Sequence, residues 1–185
     1  LCVDVCGDVF EAALALHGGA AASHLANPTG GQVVTLNAEM TMAARANPEL
    51  GAVIEAAELV IPDGAGVVWA LGRQGFRVRR APGIELARRL LEHAASHQWR
   101  VALVGASPVV MDTLVARLQR ELPGLDLVIA SHGYLQAAEW PELERRLLAA
   151  AEGDLLEVWL QQNAAPPQAL AQAPGGTWRV AGVAV

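Results

Sequence analysis

Two hydrophobic patterns alternate along the chain. Short apolar runs with little in/out alternation fall at residues 1–5, 32–36, 58–61, 100–104, 125–130, 155–160 and 178–185. Such runs fit strands covered on both faces, the condition of a parallel sheet. Between them, apolar positions recur at helical spacing over residues 9–17, 38–45, 48–57, 66–73, 84–97, 109–122 and 138–151. Strand then helix, repeated, predicts right-handed βαβ units. The expected fold class is α/β: a Rossmann-like three-layer α/β/α domain with a mainly parallel sheet. Ser107-Pro108 reads as a helix start, with a serine N-cap and proline at the first helical position. Pro123-Gly124 closes that helix, and Asn47-Pro48 separates two short ones. Residues 18–31 read as a loop, and residues 161–176, biased towards Gln, Ala and Pro, receive no element.

Composition narrows the class. A chain of 185 residues fits one domain spanning 1–185 with a single core. Alanine supplies much of the 53% hydrophobic fraction, so the core is smaller than that number suggests. A net charge of −6 counts against broad nucleic-acid binding. All the basic residues are arginines, which is read as composition bias. Cys2 and Cys6 are too few for a disulfide framework or a structural zinc, and read as small buried hydrophobes in a reducing compartment. No run reaches the ~18–20 apolar residues of a membrane span, and no signal peptide is recognisable. A cytoplasmic protein is expected, with peripheral contact at the inner face of the plasma membrane left open. Residues 180–185 read as a strand cut short, so the C-terminal segment is expected to be truncated. The same strand, if an exposed edge, leaves a homo-oligomer open.

Ligands of parallel α/β sheets bind beyond the carboxyl ends of the strands. Thr35 and Asn37 close one strand, and their side chains can bind sugar hydroxyls or phosphate oxygens; Asn37 can equally be the N-cap of the next helix. Asp63, followed by Gly64, ends another strand. Its carboxylate can act as a general base, or cap a helix from a Pro-Asp-Gly turn. Gly64 permits close approach of a ligand to the backbone. Gly105-Ala106-Ser107 is a small-residue turn into a helix whose N–H groups can hold a phosphate; it is neither a Walker A sequence nor GxGxxG. His132-Gly133-Tyr134 follows a further strand, and Tyr134 can stack on a base or sugar. His93 and His97 are four apart but lack a third ligand, and with His17 and His24 are assigned to surface or loop. Arg73, Arg77, Arg79 and Arg80 can bind a diphosphate or form a solvated loop, with Arg80 the strongest candidate for a role.

Taken in order, Thr35-Leu36-Asn37-Ala38-Glu39, Pro62-Asp63-Gly64, Arg80-Ala81-Pro82-Gly83-Ile84-Glu85, the Val104-Gly105 turn and His132-Gly133-Tyr134 resemble the WecG/TagA/CpsF glycosyltransferase family. The resemblance covers roughly residues 30–160. It implies an inverting, metal-independent, cofactor-free transfer of an N-acetylmannosamine-type sugar. The donor would be a UDP-sugar and the acceptor undecaprenyl-diphosphate-linked N-acetylglucosamine, for cell-surface polysaccharide or teichoic acid. On this resemblance Asp63 is the catalytic base, and Thr35 and Asn37 belong to the substrate pocket. Arg80 steadies the departing diphosphate, Gln168 matches the glutamine of a Pro-x-Gln-Glu segment, and Gly105, Ala106, Ser107, Gly133 and Tyr134 lie at the nucleotide. The chain departs from the family at Ala169, where glutamate is usual, and at Glu85, where aspartate is common. Two alternatives stand beside this reading. One is a homologue that binds nucleotide-sugar without turnover. The other is a Rossmann-like small-ligand domain, against which the lack of GxGxxG counts.

Overall fold

Six of the apolar runs pair into one sheet. The computed structural model describes residues 8–17, 31–151, 155–160 and 177–183. Its strands are β1 (Gln32–Leu36), β2 (Leu59–Pro62), β3 (Arg100–Gly105), β4 (Asp126–Ser131), β5 (Leu155–Leu160) and β6 (Thr177–Val183). They lie in the order β2-β1-β6-β5-β3-β4, and every pairing is parallel. β1, β2 and β5 are buried at every position, as expected where helices cover both faces. β4 departs from that expectation, with Asp126 and Ala130 exposed: it is an edge strand, and its outer side meets water.

The helices are α1 (Val9–His17), α2 (Ala38–Ala46), α3 (Pro48–Glu55), α4 (Ala65–Arg73), α5 (Gly83–His97), α6 (Pro108–Glu121) and α7 (Trp140–Ala150). On one face Leu86, Leu90 and Met111 pack with Val33, Ile61, Leu103 and Val158. On the other, Ile54 packs with Val34 and Val60, and Leu143 and Leu147 pack with Val104 and Trp159. That alternation along each strand makes the three layers. Local chemistry sets the helix starts: Asn47 Oδ1 accepts from Glu49 and Leu50 N–H at the start of α3. α7 begins at Trp140, two residues later than the periodicity suggests, with a proline in its first turn, a residue that needs no N–H partner there. Arginine pairs dress the exposed helix faces. A hydrogen bond from Arg117 is the main cause that holds Glu121 below the usual carboxylate range, and one from Arg145 does the same for Glu142. The expected strand at residues 1–5, with Cys2 and Cys6, lies outside the described residues.

The connectivity locates the ligand crevice. From β1 the chain passes to one edge strand, β2, and from β3 to the other, β4. β6 and β5 lie between β1 and β3, so the carboxyl ends of β1 and β3 flank the point where the strand order reverses.

One buried charge interrupts the apolar sheet. Glu157, in the middle of β5, is fully buried, and Trp159 Nε1 donates to its Oε2 at 2.8 Å. In register it sits beside Arg179 of β6, which in turn pairs with Gln32 of β1. A carboxylate at this depth is tolerated only when its oxygens are bonded. Glu157→Ala should therefore lower unfolding free energy by ~3 kcal/mol, through an orphaned indole N–H and a cavity. Glu157→Gln, which keeps an acceptor, should cost only ~1 kcal/mol; urea denaturation measures both.

Candidate active site

Asp63 follows β2 directly and is 6% exposed. Its N–H donates to Leu36 O at 2.9 Å, extending the β1–β2 pairing past the strand end. Asp63 does not cap α4: that position falls to Gly64, which offers no side chain. The carboxylate is turned instead towards Arg80, whose Nη2 lies 3.4 Å from Oδ1, while Arg80 Nε donates to the Asp63 carbonyl oxygen. The guanidinium side chain remains 58% exposed, so an anion arriving from solvent can reach it.

Arg80 is held there by its own backbone. Ala81 N–H donates to Pro62 O at 2.8 Å, laying residues 80–82 against the exit of β2. Two residues on, Gly83 opens α5 in contact with Thr35. A Cβ on Gly83 would lie 2.7 Å from Thr35 Oγ1 and 2.8 Å from its Cγ2. Glycine is therefore required by space, not by backbone angle. Thr35 itself is fully buried beneath this contact, so it shapes the wall of the site from behind. Asn37 does act as a cap: its Oδ1 accepts from Met40 N–H at 2.9 Å at the start of α2. Gly64 lies close behind it, where a Cβ would stand 3.5 Å from Asn37 Cα. Thr35, Asn37, Asp63, Gly64 and Arg80 thus form one cluster at the ends of β1 and β2.

A second cluster closes β3 and β4. Gly105 has φ +119 and Ala106 φ 56, so the chain turns sharply before α6, and a side chain at Gly105 would strike the Leu160 backbone. Ser107 caps α6 by accepting from Val110 N–H at 3.4 Å, with Pro108 next to it as expected. Gly133 N–H donates to Ala106 O at 3.0 Å, which ties the exit of β4 to the same turn. Tyr134 follows, 60% exposed, its ring available for stacking. Three strand spacings separate β1 from β3, so the near edges of the two clusters stand ~14 Å apart across the crevice.

Gln168 lies outside the described residues. His93 and His97 stack on each other at 3.8 Å, with Trp99 and Phe10 edge-on to His93, an aromatic contact in place of a ligand pair. Among the described residues, no group of three His, Cys, Asp or Glu is placed to hold a metal ion. None of their helices is long and apolar enough to cross a membrane. A cavity of about 270 Å³ lies between α5 and α6 over Leu103 and Val158, but neither cluster lines it. Sequence reasoning missed the dependence of Gly83 on Thr35; the available signal was a glycine at the first helical position, directly after Pro82.

A carboxylate clasped by arginine at one strand exit, and a glycine turn into a helix at another, lie at the same end of a parallel sheet, an arrangement that suits an α/β group-transfer enzyme. The sequence model of the glycosyl transferase WecG/TagA/CpsF family matches residues 11–160. The chain belongs to that family. It is also 32% identical, over 115 residues, to an N-acetylglucosaminyldiphosphoundecaprenol N-acetyl-beta-D-mannosaminyltransferase of Bacillus spizizenii. The match covers 62% of this chain and 45% of the relative, so the chain spans about half of that protein's length.

The Gly83–Thr35 contact gives a direct test of this geometry. Gly83→Ala should destabilise the fold by ~1–3 kcal/mol through overpacking. Adding Thr35→Ala, which removes two of the three crowding atoms, should recover part of that loss. Strict additivity in a double-mutant cycle by urea denaturation would show that the two residues do not touch.

Proposed function

We propose that this chain carries the catalytic core of an inverting glycosyltransferase. It would move an N-acetylmannosamine-type sugar from a UDP donor to a polyprenyl-diphosphate-linked N-acetylglucosamine. The observation that carries the reading is the buried Asp63 carboxylate at the exit of β2, with the partly exposed Arg80 guanidinium beside it. The acceptor is the one named for the Bacillus relative.

In this scheme the acceptor hydroxyl sits against Asp63, which takes its proton as the oxygen attacks the anomeric carbon. The bond from that carbon to the diphosphate oxygen breaks on the opposite face, so the anomeric configuration inverts. UDP leaves with an added negative charge. Arg80 supplies fixed positive charge for it, the N–H groups opening α6 at Ser107 lie towards the nucleotide end of the donor, and no metal or other cofactor takes part. Tyr134 and Gly133 hold the nucleotide end of an elongated donor, and the space between the two clusters accommodates the diphosphate. Thr35 and Asn37 act by fixing Gly83 and α2 around the pocket. Gln168 joins the catalytic residues, as its match to the family's glutamine implies. A lipid-linked acceptor brings the protein to the inner face of the plasma membrane as a peripheral partner.

Asp63→Asn keeps the shape of the side chain and removes the base. UDP binding by calorimetry should be largely retained, while sugar transfer to a lipid-linked acceptor falls by ~10²–10⁴-fold. An unchanged transfer rate would remove Asp63 from the role of base.

A further inference from the structure

Residues 64–80 leave the site and return to it. The segment starts at Gly64, next to Asp63, and ends at Arg80, which is bonded back to Asp63. Its body is α4 and the loop that follows. The loop is fixed at its start: Gly75, at φ +92, lets its own N–H reach Gly72 O and Phe76 N–H reach Leu71 O, the paired bonds of a Schellman helix end. In that motif the residue in the place of Phe76 usually packs back on the helix. Here Phe76 is 52% exposed and Trp69 is 68% exposed. Arg73 sits 6.0 Å over the Trp69 ring, and Arg77 and Arg79 are exposed alongside. Residues 64–80 contain four arginines and no acidic residue, in a chain whose net charge is −6.

Two exposed large aromatics and four arginines within one seventeen-residue segment, on an otherwise acidic body, have a specific physical fit. Tryptophan and phenylalanine partition to the boundary between headgroups and acyl chains, and arginines gain from the negative potential of anionic lipid. A protein partner of ordinary acidic character would match the arginines and leave the aromatics unexplained. We propose that α4 and the loop to Arg79 form the docking surface of this protein for an anionic lipid bilayer. Because the segment is tied at both ends to Asp63, docking would hold the catalytic carboxylate at the membrane surface. The proposal stands on this surface alone; it rests on the reading of the active site only for why a lipid should lie there.

The test is co-sedimentation with phosphatidylcholine vesicles with and without phosphatidylglycerol. The wild-type chain should bind the anionic vesicles and not the neutral ones, more weakly as salt rises. Arg73→Gln/Arg77→Gln/Arg79→Gln should weaken binding roughly a hundredfold, at about fivefold per arginine. Trp69→Ser/Phe76→Ser should weaken it on the order of tenfold. These side chains are exposed, so melting temperatures should stay at the wild-type value. Brominated acyl chains should quench part of the tryptophan fluorescence, and that part should vanish in Trp69→Phe. Equal binding by the variants, equal binding to neutral vesicles, or no binding by the wild type would each overturn the proposal. UDP binding measured on the same samples reports separately on the active site.

Discussion

The site depends on how residues 80–83 close over the end of β2. Two backbone-directed bonds, Ala81 N–H to Pro62 O and Arg80 Nε to Asp63 O, lay the incoming chain along the strand exit. Gly83 then fits against Thr35 with no room for a methyl group. These contacts set three things together: the direction of the Asp63 carboxylate, the location of its guanidinium partner and the first turn of α5. An arginine on a free loop would gain little from an exposed carboxylate. Here the backbone does the positioning, and the guanidinium is left with donors for a substrate.

The sheet supplies the rigidity this arrangement needs. Strands buried on both faces place their ends with little freedom, because each residue is fixed by packing above and below. Glu157 is a buried carboxylate within that sheet, and its bond to Trp159 shows what such a group requires. The two clusters sit on strand pairs that do not touch each other, β1 with β2 and β3 with β4. Their separation is therefore a property of the whole sheet, and it favours an elongated ligand over a compact one.

The charge distribution links site and surroundings. The body of the protein is acidic, yet the segment that frames Asp63 is basic and aromatic. Under the proposed function, an aqueous donor and a membrane-bound acceptor have to meet at the site. With the proposed docking, a segment that begins and ends at Asp63 is a short mechanical path between those two phases.

Much of this architecture was legible in the linear pattern. Buried parallel strands need unbroken apolar runs, so β1 and β5 could be read with correct ends, and the Ser107-Pro108 and Asn47-Pro48 starts followed from local hydrogen-bonding chemistry. The order of the motifs pointed to the family, and the family's sequence model matches residues 11–160. What the chain alone left open were choices between two local uses of one side chain. Asn37 could cap or bind, and its Oδ1 caps α2; Asp63 could cap or serve as a base, and it leaves the cap to Gly64 and lies against Arg80. Thr35 proved to be enclosed, and Gly83 to be required, because α5 arrives from 20 residues further along than Asp63. Such outcomes depend on strand order and helix approach, which bring distant residues within contact, and no periodicity in the sequence encodes that meeting.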